Sequence, residues 1–233
     1  MINLPNVLTV TNLFFGCCAI VSLNQGNATQ CILFVLFAAI VDFLDGFVAR
    51  KMNQESALGG QLDSLSDVVT FGVVPGMICF YILQSIKPEI ILLPYLAFVL
   101  ALSAAFRLAR FNVNSTGKDI FFTGLPVPAN ALFFCGILQL KQSDFAMNEF
   151  IFDPFIFIGI ILLFSYLMIS QWKILKIHLN KEWLNKYAIV LVIEIISLIS
   201  AYWIGLTVLS LVILIHIASS LFLQFYQRKI PTT

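Results

Sequence analysis

The chain has 233 residues, of which 60% are hydrophobic and only 11% are charged, and its mean hydropathy is +0.97. This composition excludes a soluble single domain, because repeated apolar runs of about 20 residues are typical of membrane helices. The formal net charge of +1 gives no indication of a nucleic-acid partner. We therefore predict an all-α, polytopic membrane protein that forms a single integral membrane domain over residues 1–233.

The apolar runs predict about eight transmembrane helices. They lie at about residues 7–23, 31–50, 60–83, 90–111, 122–140, 154–171, 187–203 and 206–226. Short polar connectors separate them, and the junction between the last two is so short that these two should form a tight helical hairpin. Five cysteines fall within or at the edge of the apolar runs, without metal-type spacing, and are interpreted as small buried residues.

Basic residues predict the orientation of these spans. Eleven of the thirteen lysines and arginines lie at the ends of spans two, four, six and eight or just beyond them, and only Lys87 and Lys141 lie on the opposite side. By the positive-inside rule, both termini are cytoplasmic, and so is the end of span two. We expect a multi-pass protein of a bacterial or archaeal cytoplasmic membrane, with its functional site facing the cytoplasm.

Four acidic residues in or beside spans two and three stand out, namely Asp42, Asp45, Asp63 and Asp67. Charged side chains are costly inside a bilayer, by about 2.5 to 3.5 kcal/mol even on lenient scales, and they usually mark function. On a helix, Asp42 and Asp45 lie on one stripe, and Asp63 and Asp67 are one turn apart. Two adjacent helices could therefore direct both carboxylate pairs into one gap.

Four such carboxylates would repel one another, and Arg50 can offset only one of them. Divalent cations are the simplest counterions, and ligands that are all oxygen favour a hard ion such as Mg²⁺ or Mn²⁺. The small residues Gly46, Ala49 and Gly59 would let a bulky group approach the backbone, or they could simply allow close helix packing. The pattern indicates a site where metal ions hold phosphate oxygens.

The segment 42–67 fits the pattern D-x-x-D-G-x-x-A-R-x8-G-x3-D-x3-D at all eight fixed positions. This resembles the signature of the CDP-alcohol phosphotransferases, integral membrane enzymes of phospholipid synthesis. The resemblance implies that residues 1–142 form the catalytic helices and that 143–233 add C-terminal spans. It also implies a CDP-linked donor, attack of an alcohol on the lipid-side phosphorus and release of CMP. Members of the family are often homodimers, so a homodimer is an expectation here.

The resemblance also implies roles for individual residues. All four aspartates would bind one or two Mg²⁺ or Mn²⁺ ions, and Asp67 would be the general base toward the incoming hydroxyl. The CDP pocket would be lined by Gly46, Ala49 and Gly59, with Arg50 against phosphate. Thr9 and Asn12 in span one either contact the nucleotide or form interhelical hydrogen bonds, and the sequence leaves both interpretations open.

Three further segments resemble the phosphatidylserine synthase branch of this family. They are residues 4–16 (LPNVLTVTNLFFG), 107–112 (RLARFN) and 124–129 (GLPVPA). This branch implies CDP-diacylglycerol and L-serine as substrates. Arg107 and Arg110, with Asn112, could bind the serine carboxylate through bidentate hydrogen bonds, or the arginines could only anchor a helix end at the membrane surface.

Two alternatives remain at this level. The same chemistry could serve another acceptor, such as glycerol 3-phosphate or inositol phosphate, although a phosphorylated acceptor should require more basic residues near Arg107. A cation transporter could use the carboxylates as an ion pathway, but transporter sites commonly lie near the midplane of repeated halves. Glu194 and His216 in the late spans are interpreted as a structural pair, a proton path or part of a polar interior, and Trp172 and Trp183 as interfacial anchors.

Overall fold

The computed structural model describes residues 3–54, 56–114, 121–143, 148–175 and 205–229. Its helices are α1 (Leu4–Asn24), α2 (Ala28–Lys51), α3 (Ala57–Asp67), α4 (Val74–Ile86), α5 (Val99–Asn114), α6 (Val127–Lys141), α7 (Asn148–Ile151), α8 (Pro154–Ile169) and α9 (Val208–Lys229). A π-helical segment, Val68–Val73, joins α3 to α4, and 3-10 turns precede α5 and α9 at Leu93–Phe98 and Gly205–Thr207. Two three-residue strands are the remaining regular structure in the described ranges.

Five helical stretches in the described part of the chain are long and apolar enough to cross a membrane: Leu4–Asn24, Ala28–Lys51, Ala57–Ile86, Leu93–Val113 and Gly205–Phe222. The shorter apolar helices Val127–Lys141 and Pro154–Ile169 coincide with the predicted fifth and sixth spans. The all-α polytopic membrane class is therefore confirmed. The predicted span at 187–203 lies outside the described residues, with Glu194 and Trp183, so the number of eight spans and the location of the termini stay predictions.

Side-chain caps set where the helices of the site begin. The Asn3 side chain accepts a hydrogen bond from the Asn6 amide at 3.1 Å and starts α1. Asn27 caps α2 through the Gln30 amide at 3.1 Å, and Ser56 caps α3 through the Gly59 amide at 3.0 Å. Such caps satisfy backbone N–H groups that have no partner within the helix. Helix α1 therefore begins a few residues before Thr9, and α3 begins a few residues before Gly59 of the acidic motif.

The third span is one helix of 30 residues that contains the π-helical segment. At 1.5 Å per residue it is about 45 Å long, whereas the hydrocarbon core of a bilayer is about 30 Å thick. Its first turns, which carry Asp63, can therefore reach the polar interface. The π segment starts directly after Asp67. Single-turn π segments within α-helices are frequent at functional sites.

The connector after α5 and the connector after α8 pair as a small antiparallel sheet. Strand β1 (Phe121–Thr123) lies against β2 (Lys173–Leu175). Gly124 follows β1 with φ +75°, and a Cβ there would collide with the carbonyl oxygens of Met168 and Ser170. Only glycine avoids both the strain and the clash. The 124–129 segment thus turns tightly under α8 and then begins α6, with Pro128 in its first turn.

The core lies between α1, α2, α4, α5, α6 and α8, and it is mostly aliphatic and aromatic. The Phe133 ring on α6 stacks on the Phe164 ring of α8 with centroids 3.9 Å apart. Three of the five cysteines, Cys31, Cys79 and Cys135, are buried here as free thiols, while Cys17 is exposed and Cys18 is half-buried. The core therefore fixes the helices whose ends carry the acidic motif.

Candidate active site

The acidic motif forms a compact carboxylate cluster where α2 and α3 face each other. Asp42, Asp63 and Asp67 each offer an oxygen, and these oxygens lie within 4.8 Å of one another. Asp67 is buried, and the other two are half-buried. Hard divalent cations prefer such a set of oxygen ligands, so the donor chemistry fits Mg²⁺ or Mn²⁺. A cation would also offset the mutual repulsion of three carboxylates held this close.

Asp45 lies apart from this cluster and faces α1. Its Oδ2 accepts a hydrogen bond of 2.7 Å from the Thr9 hydroxyl. Asp45 also interacts electrostatically with Arg50, whose guanidinium folds back over Gly46 on the same helix. A methyl group at Gly46 would come within 3.2 Å of Arg50 Nη1. Glycine at this position therefore leaves space for the arginine to lie beside the acidic motif.

A pocket of about 280 Å³ opens beside the carboxylate cluster, between α1, α2 and α3. Most of the residues predicted to contact the CDP group line it, along with two motif carboxylates: Thr9, Asp45, Gly46, Ala49, Arg50, Gly59 and Asp63. The remaining lining residues are Pro5, Asn6, Gln54, Ser56 and Gly60. Among the lining residues, Gly46, Ala49 and Gly59 leave the helix backbones accessible, and Arg50 adds a positive charge. This arrangement suits an anionic group that approaches the backbone closely.

Helix α1 is hydrogen-bonded to the acidic motif at two levels. Besides the Thr9 contact with Asp45, Asn12 Nδ2 donates to Asp67 Oδ1 at 3.2 Å. One turn after Asn12 on the same face of α1, Gly16 packs closely on Thr70. A Cβ at Gly16 would clash with the Thr70 hydroxyl. The interhelical hydrogen bonds considered for Thr9 and Asn12 are therefore present, and Thr9 also lines the pocket.

The three candidate acceptor contacts on α5 have different surroundings. Arg107 is buried, interacts electrostatically with Asp67, and has an Nε without a hydrogen-bond partner among the described residues. Arg110 donates instead to the Ile169 carbonyl at 2.6 Å, at the end of α8. Asn112 Nδ2 donates to the Ser64 hydroxyl at 2.9 Å. Of the three, Arg107 is the one whose charge is directed to the carboxylate cluster.

Several polar residues, one of which lines the pocket, were not predicted from the sequence. Asn6 lies on the same helical stripe as Thr9, which is a signal that could have identified it. Asn130 on α6 and Ser165 on α8 are buried, and within the described ranges the Asn130 amide and the Ser165 hydroxyl have no hydrogen-bond partner. A polar residue inside an apolar run was the only signal for Asn130 and Ser165.

His216, the polar residue near the C-terminal end of the chain, lies on α9 beside strand β2. Its Nε2 lies 3.1 Å from the Leu175 carbonyl oxygen of β2. Its proposed partner Glu194 lies outside the described residues, so their pairing stays a prediction. Trp172 is exposed just beyond α8, where its ring meets Tyr166 edge to face, as an interfacial anchor would be.

Comparison with known proteins places this geometry in a family. The sequence profile of the family described as CDP-alcohol phosphatidyltransferase matches residues 2–172. The chain belongs to the CDP-alcohol phosphatidyltransferase family. The match includes the whole acidic motif, the pocket and the segment of Arg107, and it ends just after α8. Membership of this family favours a transferase over the cation transporter considered from the sequence.

Individual relatives in the CDP-alcohol phosphatidyltransferase family carry a more specific name. The chain is 33% identical over 170 residues to a CDP-diacylglycerol–serine O-phosphatidyltransferase of Bacillus subtilis, which covers 73% of this chain and 88% of that protein. It is 34% identical over 199 residues to the protein of the same name from Methanocaldococcus jannaschii, covering 85% and 86%. A Saccharomyces cerevisiae protein of that name is 37% identical over 151 residues, covering 58% and 53%.

Proposed function

We propose that the chain transfers the phosphatidyl group from CDP-diacylglycerol to L-serine and releases CMP. The observation that carries this proposal is the carboxylate cluster of Asp42, Asp63 and Asp67 beside a pocket lined by the family motif. The names of the bacterial, archaeal and yeast relatives supply the acceptor. Transfer to another alcohol, such as glycerol 3-phosphate or inositol phosphate, is the alternative that the assay below must exclude.

In this proposal the pocket holds the cytidine diphosphate group, and the carboxylate cluster faces its phosphates. Gly46, Ala49 and Gly59 let the nucleotide approach the helix backbones, and Arg50 contacts a phosphate oxygen. Mg²⁺ or Mn²⁺ held by Asp42, Asp63 and Asp67, with Asp45 nearby, would neutralise charge on the phosphate oxygens. Thr9 and Asn12 orient Asp45 and Asp67 through the hydrogen bonds already described.

The transfer step exchanges one phosphorus–oxygen bond for another. The serine hydroxyl oxygen attacks the phosphorus that carries the diacylglycerol. The bond from this phosphorus to the bridging oxygen breaks, and CMP leaves with that oxygen. Asp67 accepts the hydroxyl proton as general base, and its hydrogen bond from Asn12 fixes the carboxylate that does so. Each residue thus has a role that matches its position in the cluster or the pocket.

Acceptor recognition is assigned to Arg107. Its guanidinium is buried, interacts electrostatically with Asp67, and retains an N–H that no described residue accepts. An arginine in this state can bind a carboxylate through charge-assisted hydrogen bonds. The carboxylate of serine would then lie beside the general base that receives the proton of its hydroxyl. In this proposal Arg110, which donates to the Ile169 carbonyl, holds α8 against α5 and does not contact the substrate.

The test of the proposed function is CMP release by the detergent-purified protein. CDP-diacylglycerol and Mn²⁺ or Mg²⁺ are supplied with L-serine, glycerol 3-phosphate or inositol phosphate in parallel reactions. We expect CMP and phosphatidylserine with serine, and neither CMP nor a new phospholipid with the other two acceptors. Release of CMP with a phosphorylated acceptor alone would overturn the assignment of serine and retain the family chemistry.

Substitutions of the two arginines of α5, Arg107 and Arg110, should have different effects on the KM for serine. Arg107→Gln removes a charged hydrogen bond worth about 1.5 to 3 kcal/mol, so the KM for serine should rise by about 10- to 150-fold. The KM for CDP-diacylglycerol should stay within about twofold. Arg110→Gln is the matched control, and it should lower the melting temperature while leaving the KM for serine unchanged, because it removes the contacts with Ile169 and Ser170. Equal effects of both variants on the KM for serine would contradict this division.

The orientation of the site belongs to the same proposal. Eleven of thirteen basic residues favour a cytoplasmic location for the ends of α2 and α5, where the nucleotide substrate is available. The bacterial or archaeal cytoplasmic membrane and the division at residue 142 are parts of the proposal too, and the homodimer stays an expectation from the family.

A further inference from the structure

Three buried polar side chains, on α5, α6 and α8, have polar atoms without a hydrogen-bond partner among the described residues. Asn130 on α6 is 0% exposed, and no described residue bonds to its Oδ1 or its Nδ2. Arg107 Nε on α5 and the Ser165 hydroxyl on α8 are buried in the same state. We call these residues the polar trio. Buried polar groups in native proteins nearly always have partners, because an unmet one costs free energy, so a polar molecule bound at the trio would explain its composition.

Two members of the trio lie at the same depth of the helix bundle. The ends of α5 and α8 meet where Arg110 donates to the carbonyl of Ile169, the last residue of α8. Arg107 lies about one turn before Arg110, and Ser165 lies about one turn before Ile169. These two side chains are therefore at a similar distance from the ends of their helices.

Asn130 lies at this depth as well, and it faces α8. The Leu125 amide, just before α6, donates to the Leu167 carbonyl near the end of α8 at 2.9 Å. Asn130 is one turn inside α6 from that point. Two phenylalanine rings on α6 contact the Phe164 ring of α8, and they follow Asn130 by three and four residues. Residues three and four apart share a helix face, so Asn130 is on the face that packs toward α8.

The trio lies on the side of the bundle that carries the proposed general base. Helix α5 packs on α8 and on the π-helical segment, and α6 packs on the same two elements. The π segment begins directly after Asp67, and Asp67 interacts electrostatically with Arg107. The helices of Arg107 and Asn130 thus both contact the segment that follows Asp67. A molecule bound at the trio would be next to the carboxylate cluster.

The chemistry of the trio matches a part of serine that has no partner in the proposed function. There, Arg107 binds the serine carboxylate and Asp67 receives the hydroxyl proton. The ammonium group remains, with three N–H donors that need acceptors once water is excluded. Asn130 Oδ1 and the Ser165 hydroxyl oxygen are buried acceptors that no described residue uses. Both are neutral, so neither adds to the repulsion among the clustered carboxylates.

We propose that Asn130, together with Ser165, binds the ammonium group of L-serine and so selects an amino acid as the acceptor. This inference rests on the proposed function, because it takes serine as the acceptor. Glycerol 3-phosphate and inositol phosphate have no ammonium group and would leave Asn130 Oδ1 unpaired. A site that hydrogen-bonds one group of its substrate rejects analogues that lack this group, because its own buried polar atoms then lose their partner.

Asn130→Leu tests the proposal, because leucine has nearly the shape of asparagine but cannot form hydrogen bonds. CMP release by the full-length protein is measured at varied serine, with saturating CDP-diacylglycerol and Mn²⁺. Loss of a hydrogen bond to a charged group should raise the KM for serine by about 10- to 150-fold, and Ser165→Ala should raise it by about 2- to 10-fold. The matched control is Gln139→Leu, which removes a half-buried amide farther along α6 and should leave this KM within about twofold.

An analogue of serine separates contact with the ammonium group from a general change in the site. 3-Hydroxypropanoate has the carboxylate and the hydroxyl of serine but no ammonium group. Its inhibition constant against serine should stay within about twofold of the wild-type value in Asn130→Leu, because it never makes the hydrogen bond that is lost. Equal rises in this constant and in the KM for serine would overturn the proposal.

The melting temperature without serine separates substrate binding from a structural role. Since no described residue bonds to the Asn130 amide, Asn130→Leu should leave the melting temperature unchanged or raise it. A fall of more than about 4 °C would overturn the proposal, because it would show that the amide has a partner in the free protein, such as a buried water. An unchanged KM for serine would overturn it too. If the wild-type protein releases no CMP with serine, the proposed function itself fails, and this is seen before any variant is compared.

Discussion

Asp67→Asn should lower the rate of CMP release by about 10²- to 10⁴-fold, which is the range for loss of a general base. Asparagine has nearly the same shape but cannot accept the proton of the serine hydroxyl. It also removes one negative charge from the cluster that Asp67 forms with Asp42 and Asp63. The measurement is the initial rate of CMP release with CDP-diacylglycerol, serine and Mn²⁺ at saturating concentrations.

The control for Asp67→Asn is Glu89→Gln, which removes an exposed carboxylate after α4. This variant should keep the wild-type rate. The Asn12 contact makes a stability control necessary as well, so both variants should be compared by melting temperature and gel filtration. A folded Asp67→Asn variant with more than about a tenth of the wild-type rate would contradict the role of Asp67 as general base.

Removal of divalent cations should abolish CMP release and should also destabilise the protein. A chelator is expected to reduce activity to background, and Mn²⁺ or Mg²⁺, but not Na⁺, should restore it. An ion present at about 100 times its dissociation constant stabilises the folded state by about 2.7 kcal/mol, so Mn²⁺ should raise the melting temperature of the wild-type protein. The reason is the carboxylate cluster, whose three oxygens lie within 4.8 Å.

Asp63→Asn separates binding at the cluster from nonspecific effects of the ion. This variant should lose most of the Mn²⁺-dependent rise in melting temperature, because one of three clustered ligands is neutralised. Glu89→Gln should retain the full rise. An equal rise in Asp63→Asn and the wild-type protein would show that Mn²⁺ stabilises the chain elsewhere, and the cluster would then have to be abandoned as the metal site.

The spacing of the motif was sufficient to predict that carboxylates from two helices meet. It did not predict which of the four carboxylates join the cluster and which one turns to α1. Asp63 and Asp67 are four residues apart and point within about 40° of each other, whereas Asp42 and Asp45 are three apart and diverge by about 60°. This divergence places Asp42 in the cluster and turns Asp45 to Thr9. Which member of the pair faces which neighbour depends on how α1 packs, and the sequence does not contain that information directly.

Hydropathy predicted the membrane helices well because burial in lipid imposes long apolar runs. It did not predict the π-helical segment after Asp67, since one wider turn leaves the apolar content of a span unchanged. The pairing of β1 with β2 was missed too, because each strand has only three residues and they lie about 50 positions apart. Arg110 could be located at a helix end, but its carbonyl partners on α8 are a tertiary feature.

The carboxylate cluster lies on helices that are long and apolar enough to cross a membrane, and this has a consequence for kinetics. A donor that carries acyl chains need not leave the bilayer to reach the cluster, so it arrives by lateral diffusion, while serine arrives from water. The rate should therefore follow the mole fraction of CDP-diacylglycerol in the membrane rather than its bulk concentration. Diluting the donor with inert lipid at constant total amount should slow the enzyme, whereas diluting the whole suspension with buffer containing serine should not change the rate per enzyme molecule.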